Sequence, residues 1–160
     1  MNTSIAVAEP SAPTLSQSFG RSMEDIEALD LALIKLKLQD AEEGPGWSAE
    51  RCDAVEIDYK RFLALKRVYP ESEIVPNREV DLFWHQHILD TEKYAKDCEA
   101  LFGSFLHHYP YFGMQGEEDY ANLCAAFRET QELYELHFGG KGESSSSAKC
   151  RTKCKPVKCK

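Results

Sequence analysis

Residues 81–90 read DLFWHQHILD, and the fold turns on how this stretch is placed. With Val80, the residues Leu82, Phe83, Trp84, Ile88 and Leu89 cover nearly the whole circumference of a helix at about 100° per residue. A helix that is apolar nearly all round is a central one, covered on most sides by others. Two histidines, His85 and His87, interrupt the run. On a regular helix they point about 200° apart, so they cannot share one metal ion. The spacing that puts two ligands on one face is i, i+4. Asp81 and His85 have that spacing, and a carboxylate so placed orients an imidazole, as beside a metal or in a catalytic pair. His87 falls on another face, with Trp84 and Thr91.

Working outward, Asn77 is placed to cap this helix, and the irregular PESEIVP precedes it. Upstream, Ser48 caps a helix whose stripe is Cys52, Val55, Tyr59, Phe62, Leu63 and Val68, stopped before Pro70. Before that, a helix from Ser22 carries Ile26, Leu29, Leu33 and Leu36 and ends at Gly44-Pro45-Gly46. Downstream, Asp90-Thr91 either caps a new helix, TEKYAKDCEALF, or lies within one long helix over 78–102. Gly103 ends it as a left-handed cap. The loop SFLHHYPYFGMQG is aromatic enough to pack over the core. Glu117 and Glu118 then open a fifth helix, which runs to Gly139-Gly140.

No stretch alternates with the period of a strand. The expectation is one all-α domain of about five helices over residues 21–139. Residues 1–20, rich in Ser, Pro and Ala, are expected to be disordered. Residues 140–160 form a flexible Gly/Ser linker and a Lys/Cys-rich tail.

The chain of 160 residues is 42% hydrophobic, enough for a real core. Its net charge of −8 is uneven: residues 141–160 carry +6 and the remainder −14. An acidic body argues against a nucleic-acid partner. No apolar run approaches membrane-spanning length, so no membrane association is expected. The N-terminus lacks a basic, then apolar, signal pattern, which makes the cytoplasm the default location. In that setting Cys52, Cys98 and Cys124 read as small reduced residues of the helices.

The series Asp81, Trp84, His85, His87, Tyr94, Asp97 and Cys98 resembles the glycine-rich domain-containing protein-like family, whose pattern is an aspartate, Trp-His-x-His, a tyrosine and Asp-Cys. The resemblance spans residues 22–139, with its specific part in about twenty of them. It implies no defined activity. Some plant members carry glycine-rich C-terminal regions and a link to RNA binding. This chain has nine glycines and a Lys/Cys/Ser-rich end, so that link is not carried over.

Two readings of the histidines stay open beside simple burial. Should the aromatic loop fold back over the Trp84 helix, His107 or His108 would meet His85 or His87. Two or three of these with Asp81 or Asp97 would then make an N/O site for zinc, iron or copper. Metal-free acid–base chemistry is the other. In the bland reading, His87 is a core histidine satisfied by a backbone carbonyl or Asp90, with His107 and His108 at the surface. Asp97 would accept a hydrogen bond from Tyr59, Tyr94 or a histidine, and Cys98 would pack inward.

In the tail, Cys150, Cys154 and Cys159 alternate with lysines. They suit a thiophilic metal, or modification by partner enzymes if the domain is the folded leader of a ribosomal peptide precursor, beside the plain reading of a disordered basic tail with incidental cysteines. The functional expectation is therefore a non-enzymatic binding or carrier domain whose Cys-rich tail carries the chemistry. The alternative is a small metalloprotein with its site between the WHxH helix and the HHYPYF loop.

Overall fold

The computed structural model describes residues 14–139, and its regular structure is helical throughout. In chain order the elements are α1 (Leu15–Glu27), α2 (Ala32–Gln39), α3 (Ala49–Val68), α4 (Arg78–Leu89), α5 (Thr91–Phe102) and α6 (Glu117–Phe138). The described residues thus form an all-α domain with six helices where five were expected. Among the described residues, no helix is long and apolar enough to cross a membrane.

Most boundaries follow the local chemistry. Ser48 Oγ accepts the Arg51 N–H at 3.2 Å, and Asn77 Oδ1 accepts the Val80 N–H at 2.9 Å. Each satisfies a donor that the helix start leaves without a partner. Asp90 has ψ 73, which ends α4, and its carboxylate accepts the Lys93 N–H, which starts α5. The break at 90, not the single long helix, is the one present.

The N-terminal part departs from expectation. Thr14, in a capping box with Gln17, starts α1 inside the segment 1–20 set apart as disordered, and Ser22 is buried mid-helix. The anticipated single helix then breaks. Asp30 Oδ1 takes the Ala32 N–H at 3.0 Å, a local bond that competes with helix continuation. The turn resets the helical phase. Ile26 stays in the core, but Leu33 and Leu36 are 69% and 64% exposed, and Leu31, Ile34 and Leu38 point inward instead.

The helix at the centre is α3, not α4. It packs against α1, α2 and α4, burying Val55, Tyr59, Phe62 and Leu65. Lys60, a buried cation on it, pairs with Glu56 and donates to the Glu27 carbonyl at the C-terminal end of α1. α4 buries Val80, Phe83, Trp84 and His87, yet Leu89, its last residue before the turn into α5, is 71% exposed. α6 closes one side. Tyr134 donates to the Asp58 carbonyl at 2.8 Å, and Thr130 Oγ1 accepts the Val75 N–H at 2.9 Å. Val75, Leu123, Ala126 and Phe127 form a second apolar cluster, with Phe112 and Tyr120 against it.

Gly113 sits buried at φ +80 in the aromatic loop, and a Cβ there would drive into Leu123 Cδ2. Gly103, at φ +67, has open space around the same position. Gly113→Ala is expected to cost about 2–3 kcal/mol, combining strain with overpacking. Gly103→Ala is expected to cost about 1 kcal/mol. Urea denaturation of both variants measures the difference, and equal costs would show that the loop is not packed against α6.

Candidate metal centre

α4 presents two working faces. The inward one carries Trp84 and His87. His87 is 1% exposed. Its Nε2 lies 2.9 Å from Asp97 Oδ2 on α5, and its Nδ1 2.8 Å from Tyr59 Oη on α3. A carboxylate only accepts, so Nε2 holds the proton and donates to Asp97. In the neutral ring Nδ1 is then the acceptor, and Tyr59 O–H donates to it. Burial disfavours the charged forms at both ends, pushing the Tyr59 hydroxyl far up and the His87 imidazole below its ordinary 6.5. Lys93 completes the row with an ion pair to Asp97 at 2.8 Å. His87 is therefore a core histidine, satisfied by Tyr59 and Asp97 rather than by a backbone carbonyl or Asp90.

Trp84 forms a second relay. Its Nε1–H donates to Tyr94 Oη at 2.9 Å, and Tyr94 O–H donates to the Leu106 carbonyl at 2.6 Å. That last bond ties the start of the aromatic loop to α5, two residues before His108. The Trp84 ring also lies against the His108 ring, with centroids 4.5 Å apart. Cys98 is a buried free thiol beside this relay, and burial is the main cause that raises the Tyr94 hydroxyl.

The other face of α4 carries Asp81 and His85, and the loop brings His108 to them. His108 Nε2 lies 3.1 Å from both His85 Nε2 and Asp81 Oδ1, while His85 Nε2 and Asp81 Oδ1 are 3.7 Å apart. These lengths are informative. Two ligand atoms each about 2.1 Å from one ion, subtending 90–110°, lie about 3.0–3.4 Å apart. Two edges of the triangle fall in that range, and the third corresponds to an angle of about 120°. Asp81 and His108 are mostly buried, and the His85 side chain is 33% exposed. Two imidazoles and one carboxylate suit zinc, iron or copper and leave coordination positions open.

Of the residues singled out from the sequence, Asp81, His85 and His108 converge, while His87 faces the core. His107 is exposed, with its ring against Phe105. Cys150, Cys154 and Cys159 lie outside the described residues. Asp81 and His108 also line a cleft of about 240 Å³, together with Lys66, Glu73, Ile74, Val75, Phe112 and Leu123. The sequence reading missed this wall. One signal was present: Lys66 continues the stripe Val55, Tyr59, Phe62 at i+4, a charge at an apolar position. Another was the apolar pair Ile74-Val75 inside an irregular segment.

A family model described as UCP032817-like matches residues 29–132, more than half of the chain and including every residue of the cluster. No curated protein and no solved structure matches.

The depressed His87 pKa sets a pH dependence. Below pH 6.5 the unfolded chain binds a proton at this position that the folded chain refuses. Stability is therefore expected to fall as pH drops below 6.5. The charged or titratable groups against the ring are Tyr59, Asp90, Lys93, Tyr94 and Asp97, and His137, also lowered by burial, adds a slope of the same sign. His87→Gln should flatten the slope in urea melts. Tyr59→Phe, which strands the buried Nδ1 acceptor, should cost about 1–3 kcal/mol at neutral pH. A pH slope unchanged by His87→Gln would refute the assignment.

Proposed function

The chain belongs to the UCP032817-like family, and we propose that it is a small metalloprotein, with Asp81, His85 and His108 holding one transition-metal ion at the mouth of the cleft. The observation that carries this is the triangle of ligand atoms, whose edges suit one ion. Among the described residues three protein ligands converge, the number found in sites that keep a position open for water or substrate. With neutral imidazoles, one carboxylate and a divalent ion, the centre has a charge of about +1. An ion there polarises a bound molecule and lowers the pKa of a bound water.

The motif that suggested kinship with the glycine-rich domain-containing protein-like family fits this reading. Asp81 and His85 supply ligands, Trp84 and Tyr94 position His108, and His87 with Asp97 locks α4. A carrier whose chemistry resides in the Cys150–Cys159 tail draws on residues outside those described. Metal at the folded cluster is therefore the reading that the geometry favours.

Zinc titration by calorimetry tests it, on the full chain with Cys150, Cys154 and Cys159 replaced by serine. About one zinc per chain is expected. Asp81→Asn, His85→Ala and His108→Ala should each weaken binding by at least about tenfold with the helical circular dichroism retained. His107→Ala should leave it unchanged. Cobalt in place of zinc should give ligand-field bands without a thiolate charge-transfer band. Full-strength zinc binding by His108→Ala would overturn the proposal.

A further inference from the structure

We infer that the cleft beside the cluster takes a small monocarboxylic acid with an apolar body, its carboxylate on Lys66, and that it does so only once the metal is bound. The inference rests on the metal reading above and extends it to a ligand class.

Lys66 is the reason. It projects from the core stripe of α3 into the cleft and is half-buried. Among the described residues it makes no hydrogen bond and no ion pair. Glu73, the charge that acts on it, is exposed and so screened by water. Burial lowers the Lys66 pKa, as expected for an ammonium removed from water without an anion to pair with. An anion entering the cleft supplies that pair.

The lining sets the rest of the chemistry. Ile74, Val75, Pro76, Trp84, Phe112 and Leu123 give one wall an apolar or aromatic surface, with His107, His108 and Tyr109 on the polar side, so the ligand has an apolar body to lay on that wall. Lys66 is the only lysine or arginine in the lining. A lone ammonium suits one carboxylate better than a phosphate, which calls for several donors or a guanidinium fork. A volume of about 240 Å³ limits the ligand to a small molecule.

Charge makes binding conditional. Without metal, the buried Asp81 carboxylate offsets Lys66, and the cleft has no net positive charge to hold an anion. A divalent ion on Asp81 makes it net positive. Metal and carboxylate therefore bind with positive coupling, each tightening the other by the same factor.

Phenylacetate is the probe, with benzyl alcohol as its neutral counterpart and inorganic phosphate as the competing anion. The protein is the full chain with the three tail cysteines replaced by serine, and calorimetry with or without one equivalent of zinc is the readout. Saturable phenylacetate binding is expected only with zinc present, at least tenfold weaker in Lys66→Met and largely kept in Lys66→Arg. Zinc affinity of Lys66→Met, measured without phenylacetate, should stay within twofold, showing that the fold and the metal site survive. If zinc binds but phenylacetate does not, or if Lys66→Met binds it equally, the carboxylate inference fails and the metal reading stands. Equal phenylacetate binding without zinc overturns the coupling. Tighter binding of phosphate or benzyl alcohol overturns the ligand class. Absence of zinc binding overturns both the metal reading and this inference.

Discussion

The buried row Tyr59–His87–Asp97 is the constraint on which the rest depends. It joins three helices through one imidazole whose tautomer is dictated by its neighbours. Each helix contributes a group that would be costly to bury alone, and together they leave none unpaired. The row also sets the rotation of α4. With His87 held between α3 and α5, Asp81 and His85 have to emerge on another face, toward the aromatic loop.

That loop is held by an equally specific device. Trp84 donates to Tyr94, and Tyr94 donates to the Leu106 carbonyl. A backbone carbonyl anchored from below fixes where the next residues go, and His108 follows two positions later. The same indole also packs against the His108 ring. One short motif thus divides its labour by helical angle. His87 faces the core, Trp84 packs beneath His108, and Asp81 and His85 meet the loop histidine. Packing and hydrogen bonds around a polar cluster are what hold its side chains in one geometry.

The departures from expectation share one cause. Between α1 and α2, a single Asx-type bond at Asp30 resets the helical phase, and the core face passes from Leu33 and Leu36 to Leu31, Ile34 and Leu38. The turn per residue is fixed within a helix, but its phase depends on where the helix begins. In the same way α4 has an apolar circumference but is not the most enclosed helix. Its length is only twelve residues, and α3, at twenty, has room for α1, α2 and α4 around it.

The amino-acid sequence by itself determined the helical class, the caps at Ser48, Asn77, Asp90 and Gly103, and the fact that His85 and His87 serve different faces. These depend on hydrogen bonds over a few residues and on a fixed turn per residue, both local properties. It also paired Asp81 with His85, since i and i+4 are neighbours on any helix. Only the tertiary structure decided that His108 rather than His107 completes the cluster, because the Trp84 ring and the loop backbone held by Tyr94 set His108 against Asp81 and His85, while His107 packs on Phe105. Only it placed Lys66 and Ile74-Val75 in one cleft with Asp81. Those contacts join α3, an irregular segment, α4 and the start of α6, and no spacing along the chain encodes their meeting.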